Sequence, residues 1–187
     1  MKPRILIAGI GNIFLGDDGF GVEVIRQLQG NLPDTVDVAD FGIRGFDLAF
    51  ALMDGYDTAI LVDATKRGGA PGSLYTIEPD FGELDSIGEI APDAHSLDPV
   101  KVLALTRLLG GNFKRILIVG CEPASCGDEE GGRIGLTTAV EAAVPEAVRA
   151  IESLVERILR ETAAESMVAR PRSEQSDFDN IETGGRI

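Results

Sequence analysis

Three continuous apolar runs constrain the fold of this chain more than any other feature. They span residues 4–10, 58–64 and 114–120. Runs of this kind are typical of parallel strands, because helices cover both faces of a parallel sheet. Between them lie segments in which apolar residues recur at helical spacing, so the alternation predicts an α/β fold. We expect one three-layer domain, with a twisted, mostly parallel sheet and helices on both faces.

Turn residues and apolar spacing place the other predicted elements. Residues 35–41 predict a second strand. Residues 73–77 follow a glycine-rich turn and predict a strand that pairs antiparallel beside the strand at 58–64. Pro145 lies inside the last helical segment, so that helix either kinks or effectively begins there. Helices are predicted at residues 19–28, 46–53, 99–109, and from 137 or 138 to about 163.

The composition is that of one compact domain followed by a polar tail. The 187 residues, 44% of them hydrophobic, suffice for a single core of ordinary size. We assign residues 1–163 to this domain. From residue 164 the hydrophobic density falls and Arg, Ser, Glu, Asp and Gly gather, so residues 164–187 predict a disordered C-terminal tail.

Charge and cysteine content argue against several classes of protein. The net charge of −14 disfavours nucleic-acid binding, which draws on clustered Lys and Arg. No apolar run approaches the roughly 20 residues that cross a bilayer. The two cysteines, Cys121 and Cys126, are too few for a disulfide framework, and the N-terminus lacks a signal-peptide pattern. We therefore expect a cytoplasmic protein that makes no membrane contact of its own.

Glycine-rich sequences follow the first strand. They read GIGN at 9–12 and GDDGFG at 16–21, and they predict a sharp turn whose amides face a crevice at the carboxyl end of the sheet. A dinucleotide-binding loop is the competing interpretation, but Phe14 stands where that fingerprint needs its third small residue. The acidic pair Asp17 and Asp18 is also placed to repel a pyrophosphate. For Asp17 we favour a capping role at a helix N-terminus.

Two aspartates and a histidine are the candidate metal ligands. Asp18 lies in the loop after the first strand and Asp63 ends the strand at 58–64, so both belong to the carboxyl edge of the sheet. His95, the single histidine of the chain, lies between two prolines before a predicted helix. Two carboxylates and an imidazole make a divalent-metal site with open positions. Turn initiation by Asp63 and an ordinary hydrogen bond of His95 are the alternative roles.

These segments together resemble the maturation endopeptidases of nickel-iron hydrogenases. The resemblance extends over roughly residues 4–160, and its motifs stand in the family's order. It implies an endopeptidase that removes a C-terminal extension from the hydrogenase large subunit once nickel has been inserted. The large-subunit precursor is then the partner, and its processing activates the hydrogenase. The motifs are GIGN with DDGFG, Asp63 after its strand, His95-Ser96-Leu97, and GCEP at 120–123.

The resemblance also implies the role of each ligand. Asp18, Asp63 and His95 match the family's metal ligands, although the first of these is a glutamate in some members. The metal is then nickel supplied by the substrate, for which another divalent ion such as zinc or cadmium can substitute. Such a metal polarises the scissile carbonyl, activates water, or does both. The chain has no recognisable Ser-His-Asp set, H-E-x-x-H motif or cysteine dyad, so the nucleophile of this metal-dependent or aspartic-type peptidase is unassigned.

The loop at 41–45 departs from the family pattern. Its sequence FGIRG replaces a GGTxG-like loop and introduces Arg44. The guanidinium pairs either with a substrate carboxylate or with Asp40 or Asp47, and we favour the surface pair.

The two cysteines are weaker candidates for chemistry. A thiol nucleophile needs a nearby base, and the single histidine is assigned to the metal. We interpret Cys121 as a small buried residue at a strand end. Cys126 lies in the polar loop SCGDEEGG, which we interpret as facing the substrate or disordered.

Two other functions use the same ligands. One is a self-contained metallohydrolase that binds zinc or another ion permanently and acts on small substrates. The other is a non-enzymatic nickel-binding maturation factor. A metal ion that stays bound through mild chelation would indicate the metallohydrolase. If the large subunit keeps its mass when it is mixed with this chain, the chain is the maturation factor that does not cleave. The sequence does not identify the hydrogenase that is processed or the oligomeric state.

Overall fold

The computed structural model of the chain describes residues 3–28, 32–79, 99–127 and 132–168. Strands and helices alternate through these ranges, and a short 3₁₀ turn, Gly16–Gly19, precedes the first helix. The strands are β1 (Ile5–Ile10), β2 (Val36–Gly42), β3 (Thr58–Ala64), β4 (Leu74–Ile77) and β5 (Ile116–Cys121). The helices are α1 (Phe20–Gln27), α2 (Gly45–Leu52), α3 (Pro99–Leu108) and α4 (Thr138–Val168).

The five strands form one mixed sheet in the order β2-β1-β3-β5-β4. All neighbouring pairs are parallel except β4 with β5, which confirms the predicted α/β fold with one antiparallel strand. The predicted partner of this strand was wrong: β4 pairs with β5, not with β3. Every residue of β5 is buried, so β5 takes an interior position, whereas β4 is only half-buried and suits the edge.

Helices cover both faces of the sheet, as the sequence predicts. Because successive residues of a strand point to opposite faces, the side chains of β1 divide between two apolar clusters. Ile7 lies in the cluster beneath α1 and α4, which includes the fully buried Ile151. Ala8 lies in the cluster beneath α2 and α3, together with Leu48 and Leu103.

The last helix is longer than predicted. α4 begins at Thr138, so Pro145 lies within it and does not mark its start. It continues to Val168, beyond the predicted end near residue 163, and residues 164–168 of the predicted tail are therefore helical. Residues 169–187 lie outside the described part of the chain. None of the helices in the described ranges carries an apolar stretch long enough to cross a membrane.

The strand order creates a crevice between the carboxyl ends of β1 and β3. From β1 the chain crosses to β2 on one side, and from β3 it continues towards β5 and β4 on the other. Ligands of open α/β sheets bind at such a change of direction. Gly21 lets α1 approach this point closely, because a Cβ there would lie 2.0 Å from the Val62 carbonyl oxygen.

Candidate active site

The loop after β1 carries Asp18 at the edge of this crevice. One carboxylate oxygen of Asp18 accepts a hydrogen bond from the backbone N–H of Asn12, with a nitrogen to oxygen distance of 2.6 Å. Gly11 has φ of +123°, and a Cβ there would lie 1.8 Å from the carbonyl oxygen of Asp18. The loop therefore requires glycine at this position to fold back on itself. It holds the half-buried Asp18 carboxylate beside the carboxyl end of β1.

Asp63 lies at the carboxyl end of β3, opposite Gly120 of β5. Its side chain is buried, in contrast to the half-buried Asp18. β3 lies between β1 and β5, and Asp63 stands one residue beyond Val62, the last residue of β3 that pairs with β1. The sequence thus placed Asp18 and Asp63 at the same edge of the sheet, and the structure has both of them there.

The third predicted ligand, His95, lies outside the described residues. Among residues 3–28, 32–79, 99–127 and 132–168, no three His, Cys, Asp or Glu side chains come together as a metal-binding group. The set of Asp18, Asp63 and His95 therefore stays a prediction. The two aspartates supply the oxygen donors that suit a hard or borderline divalent ion.

Nearby charges and burial together set the pKa of the Cys126 thiol. Burial raises the pKa of the half-buried Cys126 thiol, and the positive charge of Lys66 offsets part of this rise. The charges of Asp18, Asp17 and Asp63 raise the pKa of the thiol further. The thiol therefore stays protonated and is a poor nucleophile. The segment at 124–127 contacts the loop after β1, because the amides of Ala124 and Ser125 donate to Asp17. The substrate-facing interpretation of Cys126 stays a prediction.

Asp17 is fully buried, at 0% exposure, in contrast to the half-buried Asp18. Its carboxylate accepts four hydrogen bonds from donors far along the chain. The Thr137 backbone N–H donates at 2.6 Å and its hydroxyl at 2.9 Å. The backbone N–H groups of Ala124 and Ser125 donate at 2.8 and 3.0 Å. Asp17 therefore joins the loop after β1 to the loop after β5 and to the start of α4.

The hydrogen bonds of Asp17 also decide its charge. Burial raises the pKa of this carboxyl group, but the hydrogen bonds from Thr137, Ser125 and Ala124 outweigh burial and lower the pKa overall. The buried carboxylate is thus ionised and fully bonded. The predicted capping of the adjacent helix is wrong, because no side chain in the described part of the chain caps the 3₁₀ turn or α1. Asp17 instead binds Thr137, the residue before α4, and two amides of the loop after β5.

Glu122 has a comparable role on the other side of the site. Its carboxylate accepts hydrogen bonds from the backbone N–H groups of Arg67 and Gly68, at 2.8 and 3.2 Å. The hydroxyl of Tyr75 donates to it at 2.9 Å. Burial raises the pKa of Glu122, and these hydrogen bonds lower it by more. Glu122 therefore fixes the loop that follows Asp63.

Sequence reasoning missed the long-range partners of Asp17 and the role of Glu122. Both residues are acidic and stand next to a loop after a strand, which is a signal of a turn or cap but not of its partner. GCEP at 120–123 was recognised only as part of a family motif. Glu122 of this motif has a structural role, because its hydrogen bonds fix the loop after Asp63.

Arg44 and Cys121 take the structural roles that the sequence favoured. The Arg44 guanidinium donates to the backbone carbonyl oxygens of Asp40 and Phe41 and lies 3.9 Å from an Asp47 carboxylate oxygen. Cys121 is fully buried at the end of β5. Burial, followed by the charges of nearby carboxylates, raises its pKa to about 12, so it is not a nucleophile.

Comparison with known proteins confirms the family that the sequence resembles. A family model described as hydrogenase maturation protease matches residues 22–154. The hydrogenase 2 maturation protease of Escherichia coli is 34% identical over 166 residues, which cover 84% of this chain and 97% of that protein.

Solved structures lead to the same family. The hydrogenase maturating endopeptidase HybD from E. coli superimposes with a TM-score of 0.66 at 30% identity, covering 82% of this chain and 93% of that one. A hydrogenase 2 maturation peptidase from a Thaumarchaeota archaeon gives 0.60 at 33% identity, covering 81% and 97%. The chain therefore belongs to the hydrogenase maturation protease family.

Proposed function

We propose that this chain is an endopeptidase that removes the C-terminal extension of a nickel-iron hydrogenase large subunit after nickel has been inserted. Family membership supports the peptidase activity. The observation that carries the proposal is the position of Asp18, in the loop after β1, and Asp63, at the carboxyl end of β3, on either side of the crevice between these strands. His95 joins them from the sequence as the third ligand.

In this proposal the three side chains recognise the nickel ion that the precursor already holds. Two carboxylates and an imidazole leave coordination positions open for the ligands of the large subunit. Asp17 and Glu122 fix the loops on either side, so the two carboxylates are held in place before the precursor binds. An unloaded precursor offers no ion to these ligands, which accounts for selectivity towards the nickel-loaded form.

Water is the nucleophile that fits the described residues best. The thiols of Cys121 and Cys126 have raised pKa values and stay protonated near neutral pH. Hydrolysis forms a bond between the water oxygen and the scissile carbonyl carbon and breaks the peptide C–N bond. One water proton goes to the leaving amine nitrogen, and the other is released to the solvent or a carboxylate as the new C-terminal carboxylate forms. The nickel ion of the substrate supplies the polarisation of that carbonyl or of the water.

The test is cleavage of purified large-subunit precursors, with and without nickel, followed by intact mass measurement. Variants Asp18→Asn, Asp63→Asn and His95→Ala remove one ligand each. We expect each to lower the rate with nickel-loaded precursor by at least about a hundredfold, the scale on which loss of a metal contact acts. Asp34→Asn is the matched control, because it removes an exposed carboxylate that precedes β2 at the opposite edge of the sheet.

Two results contradict the proposal. Full activity in all three ligand variants removes the recognition role, and equal cleavage of nickel-free and nickel-loaded precursor removes the dependence on metal. Retention of one metal ion per chain through mild chelation favours a resident-metal hydrolase instead. Binding of nickel-loaded precursor without any mass loss favours a maturation factor that does not cleave.

A further inference from the structure

Helix α2 exposes an apolar stripe to solvent. Phe46, Phe50 and Met53 follow at spacings of four and three residues, so they lie along one side of the helix. Their exposed fractions are 63%, 56% and 38%. The helix already packs on the sheet with a different side, through Leu48 and Leu52. The stripe, defined as Phe46, Phe50 and Met53, is therefore not part of the core.

The stripe begins at the candidate active site. β2 ends at Gly42, whose carbonyl oxygen accepts a hydrogen bond from the Gly11 N–H in the loop that carries Asp18. Ile43, 62% exposed, continues the apolar surface in the turn between β2 and α2. From there α2 leads away from the crevice towards the opposite edge of the sheet. A protein that places its C-terminal segment in the crevice meets the stripe beside it.

The charges next to the stripe indicate the chemistry of the partner. Asp47 lies in α2 next to Phe46, and Asp54 follows Met53 just after the helix ends. Both are exposed, so an acidic residue stands beside each end of the stripe. Arg44 pairs weakly with Asp47 across 3.9 Å, and the chain carries a net charge of −14. An apolar surface with an acidic border is complementary to apolar side chains that have basic residues next to them.

We propose that the stripe on α2 docks the hydrogenase large-subunit precursor, through an apolar segment of the precursor that is bordered by Lys or Arg. The inference rests on the proposed function for the identity of the partner. It adds a contact outside the metal site that holds the precursor while its C-terminal extension lies in the crevice. Such a contact contributes to the affinity for the precursor and not to the chemical step, so its loss raises KM and leaves kcat unchanged.

The test is the double variant Phe46→Ser with Phe50→Ser, compared with the wild type in binding and in cleavage. Direct binding of nickel-loaded precursor to the immobilised full chain gives Kd, and initial rates at increasing precursor concentration give KM and kcat. We expect Kd and KM to rise roughly tenfold or more, because two aromatic side chains lose their apolar contact. The value of kcat should stay within about twofold. Leu108→Ser is the matched control, since this leucine at the end of α3 is 84% exposed and lies outside the stripe.

A second variant tests the charge border without touching the apolar side chains. Asp47→Lys with Asp54→Lys should weaken binding, and the difference from the wild type should shrink at high salt. If the double phenylalanine variant does not fold, this charge variant alone tests whether the stripe docks the precursor. Unchanged Kd and KM in whichever of these variants folds overturn the docking role.

The outcomes for the two proposals are distinguishable. If the wild-type chain binds the precursor without cleaving it, the proposed function is contradicted. The Kd values of the variants still test the docking role of the stripe in that case. Wild-type chain that cleaves precursor, with variants that match it in Kd and KM, contradicts only the docking role. Failure of the wild type to bind any nickel-loaded precursor contradicts both.

Discussion

Replacing Asp17 with asparagine tests whether a buried carboxylate holds the active-site loops together. Asn has nearly the shape of Asp, so the substitution leaves no cavity. It exchanges one acceptor oxygen for an NH₂ group, although all four partners of Asp17 are donors. With the remaining oxygen facing Ala124 and Ser125, the NH₂ group lies against the Thr137 N–H, where two donors oppose each other.

The size of the effect follows from these contacts. A hydrogen bond to a charged group contributes about 1.5–3 kcal/mol, and the short bond from the Thr137 N–H is lost outright. The other three bonds lose their charged acceptor, and the cost of burying that charge disappears as well. We expect a net loss of about 3 kcal/mol in the free energy of unfolding. For a chain of this size that corresponds to a fall in Tm of about 6–12 °C.

Thermal and urea unfolding of Asp17→Asn and the wild type measure this loss, with Asp34→Asn as the exposed control. Hydrogen exchange at the amides of Ala124, Ser125 and Thr137 shows whether the loss of stability arises at the hydrogen bonds of Asp17. These amides should lose protection in the variant, and Asp34→Asn should differ from the wild type by less than about 0.5 kcal/mol. A Tm of Asp17→Asn within about 2 °C of the wild type, with unchanged amide protection, refutes the reasoning.

Two further predictions concern close packing and pH. Gly21→Ala should destabilise the chain by about 3 kcal/mol, because its Cβ would lie 2.0 Å from the Val62 carbonyl oxygen. Gly55→Ala meets no atom within 4 Å and should lose only the cost of a positive φ, about 1 kcal/mol, so equal losses in urea unfolding contradict the packing argument. The lowered pKa of Glu122 means that its hydrogen bonds are fully present above the ordinary glutamate range and are lost as pH falls through the folded value. The amide signal of Gly68 should accordingly shift in acid in the wild type, and Glu122→Gln should show the shifted signal already at neutral pH; an unchanged signal in that variant contradicts the assignment.

The parts of the fold that could be predicted are those that short stretches of sequence encode. β1, β3 and β5 are continuous apolar runs, and a strand buried on both faces requires such a run. Parallel strands end at one edge of the sheet, so Asp18 and Asp63 could be placed there from their positions after the strands. Helix spacing gave α1, α2 and α3 within a few residues of their observed ends.

The parts that could not be predicted depend on contacts between distant segments. β4 has four half-exposed or exposed residues, and nothing in them selects β5 over β3 as a neighbour. Asp17 and Asp18 are adjacent acids in different environments, and the positions of the distant donors Ala124, Ser125 and Thr137 decide which one is buried. The polar residues after 163 favour a tail, yet α4 continues through residue 168.

The bonds of Asp17 have a consequence for how the molecule assembles. They connect residues separated by 107, 108 and 120 positions in the chain. A polypeptide emerging from the ribosome therefore lacks the partners of Asp17 until synthesis has passed Thr137, and the loop before α1 stays without its anchor until then. The candidate active site is thus completed late in folding, when α4 docks against α1.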